Sequence, residues 1–217
     1  VTVHYGGAVV HFVSSQSLCN ISVNVNVLCI YLLTIAGHKL YTHKGIGALY
    51  IRDGVRLAKQ MHGASHERNL RAGTENVLQI VGLGAACEII RLEQDEEQLR
   101  LQELRDQLWR QLSEGIPGIR RNGDTNSVLP NTLSLIFPGI PAQQLFQLLP
   151  DIALSAGAAC HSDLSAMSDT LRAIGLSAED ASNTVRLSVG RMTGQEEVSR
   201  AATKIINACK SYTYAID

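Results

Sequence analysis

The sequence predicts a mixed α/β protein in two parts, with strands and turns over residues 1–82 and an α+β region over residues 83–217 that opens with a long linking helix. Three observations lead there. Apolar residues in the first 60 positions fall in short β-rich runs bounded by turn signals. From Thr74 onward the apolar period lengthens to that of a helix. Beyond Gly115 and Pro117, strand-like and helix-like segments alternate to the end. At 217 residues the chain is long enough to bury a sizeable core, and its 45% hydrophobic content excludes a disordered polymer.

The elements follow in order. Ala8 to Val13 is an apolar stretch broken only by His11 and reads as a strand. Ile21, Val23, Val25 and Val27 alternate with Ser22, Asn24 and Asn26, which is also a strand period. Leu28 to Ile35 is a nearly continuous β-rich run of the kind buried on both faces of a parallel or mixed sheet. Lys44-Gly-Ile-Gly47 is a turn signal before a strand at Ala48 to Ile51. Residues 61–74 are polar and glycine-punctuated, hence a loop. Thr74 is placed to cap a helix whose apolar positions run from Val77 through Ile89, Leu101, Leu104 and Leu108 to Leu112. Ten of the 20 residues from Arg91 to Arg110 are charged, so one face of that helix meets water. Later candidates are a strand at Leu133–Phe137, a helix opened by Pro141 and running to Leu149, and a short strand at Ile152–Ser155. A helix at Asp163–Ile174, a strand at Val185–Val189 and a helix at Gln195–Ala208 complete the set.

Charge excludes some classes. Nineteen Lys+Arg against 20 Asp+Glu leave a net charge of −1, which argues against a nucleic-acid or anionic-membrane binder. Residues 1–38 hold no Asp, Glu, Lys or Arg. That stretch lacks the basic region of a signal peptide, and its longest apolar run, Val27 to Ala36, is too short to span a bilayer. Five cysteines without paired spacing point to reduced thiols and a cytoplasmic setting. His62 and His66 have ligand spacing only if helical, and they sit in a glycine-containing loop with no third ligand nearby, so no metal is expected. Gly45-Ile-Gly47 precedes a strand and lacks the third glycine of a dinucleotide fingerprint, and no Walker A sequence is present.

Three residues stand out chemically. Lys39 is the first charge in the chain and follows an apolar strand. Partial desolvation there would expose a neutral amine suited to Schiff-base chemistry, whereas a lysine snorkelling from a strand end is the ordinary alternative. Cys160, in Ser155-Ala-Gly-Ala-Ala-Cys-His-Ser162, is either an accessible thiol beside His161 or a buried structural cysteine. Arg186 lies in a β-rich run and either meets an anion, for which a carboxylate suits its planar fork, or faces water from an edge strand.

Five segments in register sharpen this picture: Gly37-His-Lys-Leu-Tyr41, Lys44-Gly-Ile-Gly-Ala-Leu-Tyr50, His66-Glu-Arg-Asn-Leu-Arg-Ala-Gly-Thr-Glu-Asn76, Ser155-Ala-Gly-Ala-Ala-Cys-His-Ser162 and Val185-Arg-Leu-Ser-Val-Gly-Arg191. Together, over residues 8–208, they resemble the NifS-like cysteine desulfurases of the class V aminotransferase type, and the wording around Cys160 is most similar to the selenocysteine lyase branch. The resemblance implies part of a pyridoxal 5′-phosphate (PLP) fold type I large domain, a three-layer αβα arrangement over residues 1–82, followed by a small α+β C-terminal domain in residues 83–217. It implies a homodimer that removes sulfur or selenium from L-cysteine or L-selenocysteine, leaves L-alanine and passes the chalcogen to an acceptor protein.

By the same resemblance, Lys39 matches the lysine that binds the coenzyme aldehyde, His38 a residue against the cofactor, and Gln16 a glutamine bonded to the pyridoxal 3′-oxygen. Thr74 matches a threonine reaching the phosphate of the neighbouring subunit's cofactor, Cys160 the cysteine of a mobile loop, and Arg186 the clamp on the substrate carboxylate. The sequence departs from the family pattern at Val13, where an aspartate pairs with the pyridine nitrogen, and at Ala36, where a serine serves the phosphate. The family's N-terminal half, which supplies a phosphate-cradling helix end and a group stacked on the ring, has no counterpart in the sequence. These departures keep a second expectation open: a truncated, catalytically incompetent PLP-fold remnant acting as a binding or structural protein. Exposed edges left by the missing half predict poor solubility or obligate assembly.

Overall fold

The computed structural model describes residues 9–14, 17–156 and 168–214. The chain divides into two compact units, residues 1–96 and 97–217. The division falls inside the long helix α1 (Val77–Gly115).

In the first unit, β1 (His11–Val13), β2 (Leu32–Ala36) and β3 (Gly47–Ile51) form a mixed sheet. β1 runs parallel to β2, with Phe12 opposite Leu33, and β3 runs antiparallel to it, with Leu49 opposite Thr34. Leu32 and Leu33 point to opposite faces of the central strand and both are buried, so β2 is covered on both sides.

The alternating stretch from Ile21 to Val27 is not a strand. Asn24 Oδ1 accepts hydrogen bonds from the backbone amides of Asn26 (3.0 Å) and Val27 (3.2 Å), and Leu28 N donates to Asn24 O at 3.0 Å. A short amide side chain that satisfies the backbone locally competes with any sheet ladder. Val27 is consequently left exposed, and β2 begins at Leu32 rather than Leu28. Arg52 Nε donates to Ile30 O at 2.8 Å, and Gln94 Nε2, from the first part of α1, donates to Leu18 O and Ile21 O, so the turns of this unit are tied down by polar side chains.

The second unit is an antiparallel sheet, β4 (Arg120–Arg121), β5 (Thr132–Ile136) and β6 (Thr184–Ser188), with helices packed on it. Leu101, Leu104, Leu108 and Leu112 of α1 recur at helical spacing on one buried face. Val198, Ala202, Ile205 and Cys209 do the same on α5 (Gln195–Tyr214). Both stripes close over Leu133, Leu135, Val185 and Leu187 to make one core. Short helices α2 (Ala142–Leu148), α3 (Asp169–Ala173) and α4 (Ala178–Ser182) cap the ends.

Several boundaries shift against expectation. Ile152–Ser155 forms no strand, only an isolated bridge between Ser155 and Arg186. The described part of the Asp163–Ile174 helix is α3, which starts at Asp169; residues 163–167 lie outside the described residues. The last helix runs on past Ala208 to Tyr214. β4 and α4 were not anticipated, although Ser177 followed by Asp180 is a capping pattern, and Ser177 Oγ accepts from Asp180 N at 3.0 Å.

Candidate functional site

Lys39 is positioned by a tight turn. β2 runs directly into a single 3₁₀ turn, Gly37–Leu40. Gly37 is buried, and its amide donates to Ile46 O at 3.0 Å. A Cβ at Gly37 would meet Ile46 Cγ2 at 2.6 Å and Ile46 O at 2.8 Å, so only glycine lets the two segments approach this closely. Leu40 is buried at the other end of the turn, and Tyr41 closes it in the left-handed region at φ 61°. With Gly37 and Leu40 facing in, His38 and Lys39 face out, and both are exposed. Of the two alternatives for Lys39, partial desolvation or a side chain reaching out from the strand end, the structure has the second: the turn lifts the side chain clear of β2, leaving its amine accessible to a ligand.

Thr74 is exposed in an extended stretch and does not cap α1. That cap is Asn76, whose Oδ1 accepts from Gln79 N at 3.4 Å while its carbonyl accepts from Ile80 N at 3.0 Å, so the helix begins at Val77. The loop leading to Thr74 is strained. Glu67, Arg68 and Asn69 hold φ values of 50°, 54° and 63° in succession, a run that non-glycine residues adopt only when their surroundings impose it. Lys59 supplies much of the imposition, since its Nζ donates to Gly63 O (2.8 Å), Ala64 O (3.0 Å) and Asn69 Oδ1 (3.1 Å). Arg71 adds bonds to Ala72 O and Gly73 O and a 3.3 Å ion pair with Glu67. His66 Nδ1 is buried in this loop with no hydrogen-bond partner. Lys59 was missed from sequence because a lysine in a polar loop carries no distinguishing signal.

Arg186 stands on the polar face of the second sheet. Val185 and Leu187 point into the core, so Thr184, Arg186 and Ser188 point the other way. Arg186 pairs with Ser134 on β5, and Asn122 Nδ2 donates to Ser134 Oγ (3.0 Å) and Thr184 Oγ1 (3.2 Å) on the same face. Asn122 Oδ1 is buried there without a partner. Arg186 exchanges two backbone hydrogen bonds with Ser155 (2.7 and 3.3 Å), and its Nη2 lies 3.5 Å from Ser155 Oγ. β6 is an outer strand of its sheet, yet the guanidinium is half-buried rather than lying in water, beside the residue that leads into the 157–167 segment. Gln16 and Cys160 lie outside the described residues. Among the described residues, no three His, Cys, Asp or Glu side chains gather closely enough to hold a metal ion, and no helix is long and apolar enough to cross a membrane.

The model of the aminotransferase class-V family matches residues 1–201. The chain belongs to that family. It is 42% identical over 200 residues to a cysteine desulfurase IscS of Edwardsiella ictaluri, covering 91% of this chain and 49% of the relative. It is 41% identical over 194 residues to the cysteine desulfurase IscS of Pectobacterium carotovorum, covering 88% and 48%. A solved NifS-like protein superposes with a TM-score of 0.81 at 31% identity over 91% of this chain and 51% of its own. The mixed α/β architecture of this class-V chain is therefore that of the NifS-like enzymes, and the chain spans about half the length of the curated relatives it matches.

Class-V enzymes of this kind depend on PLP, and the residues present fit its reactive end. The exposed Lys39 amine and the adjacent exposed His38 imidazole offer a nucleophile for an aldehyde and a polar neighbour on one turn. Val13, 63% exposed at the end of β1, offers no carboxylate for the pyridine nitrogen.

Proposed function

We propose that the chain carries the coenzyme-lysine and substrate-carboxylate elements of a PLP-dependent cysteine desulfurase or selenocysteine lyase acting on L-cysteine or L-selenocysteine. The supporting observation is Lys39, held outward and open at the end of β2 by a turn that only Gly37 permits. In this reading Lys39 Nζ binds the coenzyme aldehyde and afterwards moves the substrate Cα proton. His38, Gln16 and Thr74 hold the coenzyme's ring and phosphate. Arg186 receives the substrate carboxylate through two parallel hydrogen bonds, oriented by the backbone bridge to Ser155. Cys160 takes the chalcogen, for which a position on a movable loop suits a group that must reach the substrate and then carry its cargo away. When bound, PLP supplies the electron sink that lets the Cα–H bond break. The working protein in this proposal is a cytoplasmic homodimer that hands sulfur or selenium to an acceptor protein.

The test is covalent trapping. Protein incubated with PLP and reduced with borohydride should carry a pyridoxyl group on the peptide containing Lys39, and Lys39→Ala should carry none. An unlabelled wild-type chain overturns the proposal. Alanine release from L-cysteine against L-selenocysteine then separates the two substrates. A second reading is favoured by Val13: without a carboxylate at the pyridine nitrogen the chain is labelled at Lys39 yet releases no alanine from either substrate, as a PLP-fold remnant with a binding role would.

A further inference from the structure

The second unit holds a cavity of about 170 Å³ that no step of the proposed reaction uses. It lies under the loop that joins β4 to β5 and is walled by Arg105, Arg121, Asp124, Val128, Leu129 and Leu133. Arg121 pairs with Leu135, whereas Arg186 pairs with the neighbouring Ser134, so Arg121 extends from the opposite face of the sheet to Arg186. Arg105 is nine-tenths buried, with a side-chain exposure of 8%. Its Nε and Nη2 both sit 2.9 Å from Asp106 Oδ1, and its Nη1 donates to Leu129 O at 3.1 Å. Arg121 Nη2 lies 3.9 Å from the same Oδ1, its one ion pair among the described residues, and its Nε is buried without a hydrogen-bond partner. One face of its guanidinium lies 4.3 Å from the Trp109 ring.

A buried cation, Arg105, and a half-buried one, Arg121, thus share one carboxylate. Asp124 does not restore the balance: it is exposed on the loop, and its carboxylate accepts from Asn126 N at 2.9 Å. A buried donor left unmade is costly, and a buried cation without a full counter-charge more so. Burial draws the Arg121 guanidinium below its ordinary pKa, with Asp106 opposing the fall and Arg105 adding to it. Val128, Leu129 and Leu133 supply the apolar part of the wall, and Asn122, Thr125, Thr132 and Ser134 supply neutral polar groups. A cavity of this size is close to the roughly 150 Å³ that holds a benzene ring. Against Asp106 alone the two arginines leave a deficit of one negative charge, and the space beside them, apolar along Val128, Leu129 and Leu133, is about six heavy atoms in extent.

We infer that this cavity binds a short aliphatic carboxylate, its carboxylate on Arg121 and Arg105 and its hydrocarbon tail against Val128, Leu129 and Leu133. Trp109 is the only tryptophan in the chain and stacks on Arg121, so its fluorescence reports the site directly. Titrating the full chain with butyrate at constant ionic strength should give a saturable fluorescence change at about millimolar concentration, the range such a small ligand can reach. Butyramide, of the same shape without the charge, and chloride should give none. Arg121→Gln should weaken butyrate about tenfold or more, as expected for loss of a charge-assisted bond. Val128→Phe fills the apolar end while leaving both arginines and should also abolish the response, with circular dichroism confirming that each variant is folded. A flat titration, meaning a cavity that takes only water, overturns the inference. So does an equal response to chloride, or an unaltered response in folded Arg121→Gln or Val128→Phe.

Discussion

At Gly37 one missing methyl group decides whether Lys39 can be presented at all. A Cβ there would overlap both a side chain and a carbonyl of Ile46, and the carbonyl cannot move without disturbing the β2–β3 ladder. Gly37→Ala should therefore cost about 1–3 kcal/mol, the usual range for overpacking a filled site, read as a lowered denaturant midpoint with the slope unchanged. The motif around Lys39 was legible in the sequence because glycine, histidine and lysine at fixed spacing are chemically distinctive. Its exposure was not legible, because an apolar strand before a lysine is compatible with either a buried or a lifted side chain, and only the inward Gly37 and Leu40 settle which. Cys209 makes the contrasting case. Its thiol lies inside the second core, where burial pushes its pKa from an ordinary 9 up to about 11. A thiol whose folded pKa is raised stabilises the fold below the unfolded value and loses that contribution as pH climbs through the folded one. Thermal stability should fall between about pH 9 and 11 through this group, and Cys209→Ala should show a smaller fall over the same range.

At the scale of elements, helix α1 carries two different surfaces. Its C-terminal stripe is sealed in the core, with Leu112 at 0% exposure. Leu112→Ala should cost about 2–5 kcal/mol, as large-to-small changes in a packed core do, measurable by chemical denaturation. Its N-terminal turn shows the reverse, with Val77, Leu78 and Val81 apolar yet 65%, 82% and 65% exposed. Leu78→Gln should accordingly leave the unfolding free energy within about 0.5 kcal/mol. The helix itself was legible because its period is sustained over many turns. The Ile21–Val27 alternation misled because two-residue spacing is also produced by a turn closed on Asn24. β4 and α4 were too short to leave a period at all.

For the molecule as a whole, the exposed apolar residues at the start of α1 accompany a chain that spans about half of its relatives. Apolar surface of this kind drives association, so sizing chromatography of the chain should show assemblies or aggregates rather than a dispersed monomer. A sharp monomer peak at high protein concentration would contradict that.

What the sequence by itself determined is the family, through five motifs in register that include a lysine after a strand, an arginine in another and a cysteine among small residues. Those are identities and spacings, which the chain states outright. Only tertiary structure decided that Lys39 stands clear of its strand, that Lys59 locks the strained approach to Thr74, and that Arg105 and Arg121 share a single carboxylate beside a cavity. Each of these depends on which distant groups satisfy a backbone carbonyl, an amide or a charge. Such pairings are fixed by how strands register and helices pack, and no local run of residues contains them.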